Sequence, residues 1–172
     1  VPSPNFGPRP TGVEPSLALI HSISLPPGDY GGAAIERLFL NQLDACEHPY
    51  FAQIQGLRVS AHFVIRRDAE LLQFVSCDER AWHAGASQWR GRAGCNDFSI
   101  GIELEGLEGD PFEAGQYRVL EELLPALAAR YPLESVAGHE HVAPQRKFDP
   151  GKGFDWMRLI ASLGWPDRYF PE

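Results

Sequence analysis

Leu17-Ala18-Leu19-Ile20-His21-Ser22-Ile23 is a short apolar run that stops abruptly at Pro26-Pro27-Gly28. Proline cannot donate to a sheet ladder, so the run reads as a buried strand with a hard end. Phe98-Ser99-Ile100-Gly101-Ile102-Glu103-Leu104 has the same character between Asn96-Asp97 and Gly106. Gly101 in its middle predicts a close approach of backbone or ligand, because glycine offers a strand nothing to pack. Between these two runs, Ala61 to Arg66 and Leu71 to Val75 flank the turn residues Asp68-Ala69-Glu70 and predict a hairpin. Helical spacing of apolar residues marks Ala33 to Leu43, through Ile35, Leu38 and Phe39, and Ala114 to Tyr131, through Tyr117, Leu120, Leu124 and Leu127. Pro125 is expected to bend the longer helix. A last helix is predicted over Phe154 to Leu163. Strands and helices that mix without strict alternation, and without repeats, predict one α/β domain with a central mixed sheet flanked by helices.

The 172 residues suffice for a single core, and 44% apolar with 22% charged residues is an ordinary globular balance. Residues 1–16 hold five prolines and two glycines, so they are expected to form an extended arm on a domain spanning 17–172. A net charge of -8 argues against nucleic acid or an anionic membrane surface as partner, and no apolar stretch is long enough to span a bilayer. Cys46, Cys77 and Cys95 are odd in number and lack CxxC spacing, which argues against a disulfide framework and for a reducing compartment. With no signal segment at Val1-Pro2-Ser3, the expected location is cytoplasmic.

Six histidines occur, at 21, 48, 62, 83, 139 and 141. His21 lies in an apolar strand, where both ring nitrogens need partners; it is either a satisfied core residue or a functional one. A loop punctuated by glycine and proline, Val136 to Gly153, gathers His139, His141, Lys147 and Asp149. Two imidazoles and a carboxylate make the open three-ligand set of a hydrolytic zinc site, and the trio in question is His21, His139 and Asp149. On spacing alone that trio competes with an ordinary polar loop. Lys147 and Lys152 are the only lysines among fifteen basic residues. A compact ammonium suits a developing oxyanion, while compositional bias is the competing reading. Glu103 either points into a cleft, where desolvation makes it a general base, or alternates outward onto a solvated face.

Taken together, Ile20-His21-Ser22-Ile23-Ser24-Leu25-Pro26-Pro27-Gly28, Val59 to Phe63, Arg80 to Gly85, Cys95 to Gly106, Gly138 to Pro144 and Arg146 to Gly151 closely resemble the N-acetylmuramoyl-L-alanine amidase (type 2) and peptidoglycan-recognition family over nearly the whole chain. The resemblance implies that family's fold with zinc in a surface groove. It implies hydrolysis of the amide between (anhydro-)N-acetylmuramic acid and L-Ala of a stem peptide in muropeptide recycling, by a monomer. It implies His21, His139 and Asp149 as zinc ligands, Glu103 and Lys147 as catalytic partners, and Arg58, Trp82 and Asn96 as substrate contacts. The alternatives are a muropeptide-binding module without catalysis and an amidase of intact peptidoglycan. Relatives usually carry Asn, Asp and Arg where this chain has Ser22, His141 and Gly94. His141 either competes for the metal or faces solvent, the second being expected since Asp149 completes the set, and the arginine contact to a peptide carboxylate is either missing at Gly94 or supplied by Arg92.

Overall fold

The computed structural model describes residues 1–171. In chain order it contains β1 (Phe6–Pro8), β2 (Leu17–Ile23), α1 (Ala34–Phe39), α2 (Pro49–Gln53), β3 (Phe63–Ile65), β4 (Leu71–Gln73), β5 (Glu79–Ala81), β6 (Gln88–Trp89), β7 (Arg92–Ala93), β8 (Ser99–Glu105), α3 (Ala114–Arg130), β9 (Ser135–Gly138), α4 (His139–Val142) and α5 (Trp156–Leu163). The central sheet has the order β4-β3-β8-β2-β9. Its strands β3, β8, β2 and β9 run parallel, and β4 closes one edge as the antiparallel arm of the expected hairpin. This is the single α/β domain with a mixed sheet that the pattern of elements predicts.

The two central strands explain their sequences. Every residue of β8 is buried, as are the first five of β2, because both faces of the sheet are covered. A strand buried on both sides has no reason to alternate polar and apolar residues. On one face, Ile20, Ile102 and Leu104 pack with Leu120, Leu124 and Leu127 of α3 and Leu159 of α5. On the other, Val64 packs with Leu38, Phe39 and Phe51 from α1 and α2. Since side chains alternate along a strand, His21 and Glu103 project to the face turned away from α3.

Two helices differ in detail from expectation. α1 ends at Phe39 rather than Leu43, because Asn41 takes a left-handed φ of 60°, which terminates the turn. α3 runs unbroken from Ala114 to Arg130 with Pro125 on its exposed side. Its start is pinned to the sheet by Gln116, whose amide donates to the carbonyls of Ile65 and Glu105.

The N-terminal residues are built into the body. β1 pairs antiparallel with β5, and Ser3 and Asn5 are buried. The Asn5 amide nitrogen donates to the Val59 carbonyl at 2.8 Å and the Phe39 carbonyl at 3.2 Å, while Ser60 Oγ donates to the Asn5 carbonyl. Asn5→Ala removes the donor to the Val59 carbonyl, while the Phe39 carbonyl keeps the Ser3 hydroxyl at 2.6 Å, and is expected to destabilise the protein by about 1–3 kcal/mol. Urea unfolding of the variant measures this; an unchanged midpoint and slope would show that the amide contributes nothing.

Candidate metal centre and active site

The parallel strands deliver the chemistry to one edge. His21 lies near the C-terminal end of β2, and its partner across the ladder in β8 is Glu103, so the two side chains stand next to each other on one face. β9 ends at Gly138, and the next residue, His139, opens α4. The carboxyl ends of parallel strands are where open α/β sheets leave a crevice. Asp149 is returned to this point by the loop after α4, tethered where the Glu140 N–H donates to the Asp149 carbonyl at 2.9 Å. Gly138 permits the return: a Cβ there would lie 2.8 Å from Pro150 Cδ and 3.0 Å from His141 Nδ1.

His21 Nδ1 is 2.9 Å from His139 Nδ1 and 3.2 Å from Asp149 Oδ2, and His139 Nδ1 is 3.1 Å from the same oxygen. Among the described residues these three form the group of His, Cys, Asp and Glu side chains able to hold a metal ion. The other nitrogen of His139, Nε2, donates to the Ala84 carbonyl at 3.1 Å, which leaves Nδ1 with its lone pair toward Asp149. Burial pushes the His21 pKa down to about 4, so that ring is neutral at pH 7. Two imidazoles and a carboxylate, with no further protein donor in the group, fit a tetrahedral zinc ion that keeps one position open.

Glu103 is 8% exposed, and its Oε2 has no hydrogen-bond partner. Burial first, and the Asp149 charge second, push its pKa well above the carboxylate range, with Lys147 opposing. The solvated-face reading of Glu103 is therefore wrong. Both residues border a groove of about 700 Å³ whose polar part includes His21, His139 and Asp149 and whose apolar part includes Leu25, Leu38, Phe39 and Ile54.

Residues 14–152 match the family described as N-acetylmuramoyl-L-alanine amidase. The chain belongs to the N-acetylmuramoyl-L-alanine amidase family. It is 52% identical over 163 residues to the 1,6-anhydro-N-acetylmuramyl-L-alanine amidase AmpD of Citrobacter freundii, a match covering 94% of this chain and 87% of that relative. A crystal structure of a selenomethionine AmpD derivative superposes with a TM-score of 0.92 at 52% identity, covering 95% of this chain and 92% of that one. The Escherichia coli amidase AmiD, solved with anhydro-N-acetylmuramic acid-L-Ala-D-γ-Glu-L-Lys, superposes with a TM-score of 0.61 at 30% identity, covering 90% and 60% respectively.

Within this family member, the four expected substrate contacts do not border the groove. The Asn96 side-chain oxygen accepts the His83 and Ala84 N–H groups at 3.0 and 2.8 Å, so it holds the loop that presents the Ala84 carbonyl. The Arg92 guanidinium lies 4.0 Å over the Phe98 ring. The Trp82 carbonyl accepts the Ser60 N–H, and the Trp82 N–H donates to Ser60 Oγ at 3.1 Å. Arg58 is exposed at a neighbouring hollow that shares Leu38, Ile54 and Leu57 with the groove. Gly94 adopts φ +75°, a conformation that an arginine there would strain. His141 neither joins the trio nor simply faces solvent: its Nδ1 accepts the Gly138 N–H at 2.9 Å and its ring packs edge-on against Trp156. Sequence reasoning assigned nothing to His83, whose Nδ1 lies 2.9 Å from His21 Nε2. The pointer was Gly101, since a Cβ there would lie 2.6 Å from the His83 ring.

A further imidazole, His62, sits behind His83 with ring centroids 5.7 Å apart. Its Nδ1 accepts the Gly101 N–H and its Nε2 donates to the Glu79 carbonyl. Burial pushes its pKa down to about 3. The unfolded chain therefore takes up this proton first, and the stability present above pH 6.5 is lost as pH falls toward 3. His62→Asn, which keeps an acceptor near the δ position, should lower the slope of unfolding free energy against pH by up to about 1.4 kcal/mol per pH unit below pH 6. Urea titrations at pH 7, 6 and 5 measure it; an unchanged slope would mean that His62 is already protonated in the folded protein.

Proposed function

We propose that this chain hydrolyses the amide joining anhydro-N-acetylmuramic acid to L-Ala of the stem peptide, as a step in recycling cell-wall muropeptides, with zinc held by His21, His139 and Asp149. The single observation that carries the reading is Glu103: a buried carboxyl with an unpartnered oxygen, next to an open set of three metal donors, in a groove large enough for a sugar-peptide. The names of the relatives support the substrate: AmpD is a 1,6-anhydro-N-acetylmuramyl-L-alanine amidase, and AmiD was solved with an anhydromuramyl peptide.

The chemistry that zinc supplies when bound is polarisation of the amide carbonyl and acidification of a water molecule, from a pKa of about 15.7 toward about 7. Glu103 accepts a proton from the attacking water at its free oxygen and passes it to the departing amine of L-Ala. Its raised pKa suits both halves of that task, since a weaker acid is a stronger base and can still deliver the proton to nitrogen. Lys147, at the groove's edge, sets its ammonium toward the oxyanion that forms as the carbonyl is attacked, a contribution of roughly 10²- to 10³-fold in comparable sites. Arg146 also borders the groove, so the carboxylates of the stem peptide meet local positive charge although the chain as a whole is at -8.

All of these residues come from one chain, which makes a monomer sufficient. Cys46, Cys77 and Cys95 are free, which suits a reducing setting, and we place the reaction in the cytoplasm. Among the described residues no helix is long and apolar enough to cross a membrane.

Glu103→Gln is expected to keep a full equivalent of zinc while kcat on a soluble anhydromuramyl tripeptide falls about 10²- to 10⁴-fold. A chelator should abolish the wild-type rate, and intact sacculi should be a poor substrate. Wild-type turnover by the variant would remove Glu103 from the reaction, and binding without cleavage by the wild type would leave a recognition module.

A further inference from the structure

His83 has no task in the chemistry above, yet the fold makes room for it at a cost to a central strand. Its ring lies on the backbone of β8 at Gly101, where a Cβ would come within 2.6 Å of ring atoms Cγ and Nδ1. The loop that carries it is held by Asn96, which accepts the His83 N–H. In that position His83 Nδ1 is 2.9 Å from His21 Nε2, and His83 Nε2 is 3.3 Å from Ser99 Oγ. Ser99 Oγ is in turn 2.6 Å from the Cys95 carbonyl oxygen.

The protons along this chain can be assigned in one direction only. The Cys95 carbonyl can only accept, so the Ser99 hydroxyl donates to it. Ser99 Oγ is then left as an acceptor, and His83 Nε2 must carry the N–H that faces it. A neutral imidazole has one N–H, so His83 Nδ1 is a bare lone pair. His21 Nε2 must therefore be the donor in the 2.9 Å contact, and His21 Nδ1, the atom facing His139 and Asp149, is left with its lone pair outward. The other imidazole of the trio is set by a single bond, from His139 Nε2 to the Ala84 carbonyl.

We propose that His83 is a positioning residue for the metal centre: with Ser99 and the Cys95 carbonyl it fixes the tautomer and ring orientation of His21, so that Nδ1 is presented to a divalent cation before the cation arrives. This rests on His21, His139 and Asp149 being the metal site. Groups that accept the second N–H of a ligating histidine typically change metal affinity by about 10- to 100-fold. A chain of this kind differs from a lone carbonyl acceptor in that its effect can be cut at two side chains, His83 and Ser99, and Gly101 gives a purely steric way to disturb it.

The test is the zinc dissociation constant of the full-length protein, measured by competition with a chromophoric chelator, for variants whose circular dichroism matches the wild type. His83→Phe keeps a ring over Gly101 without the acceptor and should weaken zinc about 10- to 100-fold. His83→Asn, with its amide oxygen near the place of Nδ1, should recover most of that loss, and Gly101→Ala should reproduce the defect by pushing the ring aside. A folded His83→Phe protein that binds zinc as tightly as the wild type overturns the proposal. Should His83→Phe not fold, nitrogen-15 spectra of the zinc-loaded wild type decide: His83 protonated on Nε2 and His21 on Nε2 are expected, and a proton on His83 Nδ1 overturns it. A wild-type protein that binds no zinc would sink the trio itself and this inference with it, whereas tight wild-type binding untouched by His83→Phe would sink only the role of His83.

Discussion

Three electron-pair donors aimed at one another across 2.9 to 3.2 Å repel unless a cation sits among them. That is the situation of His21 Nδ1, His139 Nδ1 and Asp149 Oδ2, and much of the surrounding structure serves to maintain it. Left to relax in water, these side chains would turn apart and hydrate separately. Here they are buried or nearly so, and each is tied from behind: His139 by the Ala84 carbonyl, His21 by the His83 ring, Asp149 by its backbone bond to the start of α4. A metal site of this kind stores its selectivity in the shell that orients the donors as much as in the donors themselves.

The scaffold explains how donors so distant in the chain are brought together. β2 and β9 are neighbours in parallel register, so the end of one strand and the helix start after the other meet at the same edge of the sheet. Glu103 arrives on the next strand over, level with His21. Its burial is imposed by the coverage of β8 on both faces, which is also what shifts its proton affinity. The N-terminal segment reinforces the groove from outside, because Asn5 and Ser60 fasten the chain at Phe39 and Val59, both of which border it.

The parts of this arrangement carried by periodicity were legible in the sequence. The buried strands around His21 and Glu103, the hairpin and the long helix all follow from apolar spacing, and the donor chemistry of His21, His139 and Asp149 follows from residue type. The convergence of those three does not follow from spacing, because loops of equal length can return anywhere. The same limit accounts for Asn96 and Arg92, whose side chains are engaged by the His83 and Ala84 N–H groups and by the Phe98 ring in ways that no sequence period encodes, and for Trp82 and Arg58, which fall outside the groove's lining. His83 escaped notice for a related reason: its partner in space is a glycine, and a missing side chain shows only that something approaches, not what. α1 fell short of its pattern because a single left-handed residue, Asn41, ends it while the apolar spacing continues.

The central claim, that these three side chains share one ion, is tested most directly by X-ray absorption at the zinc edge on the purified, zinc-loaded protein. The account predicts one zinc per chain with only nitrogen and oxygen neighbours at about 2.0–2.2 Å, including multiple-scattering features of two imidazoles. A sulfur neighbour at about 2.3 Å, or a spectrum with one imidazole or none, would place the metal elsewhere and contradict it.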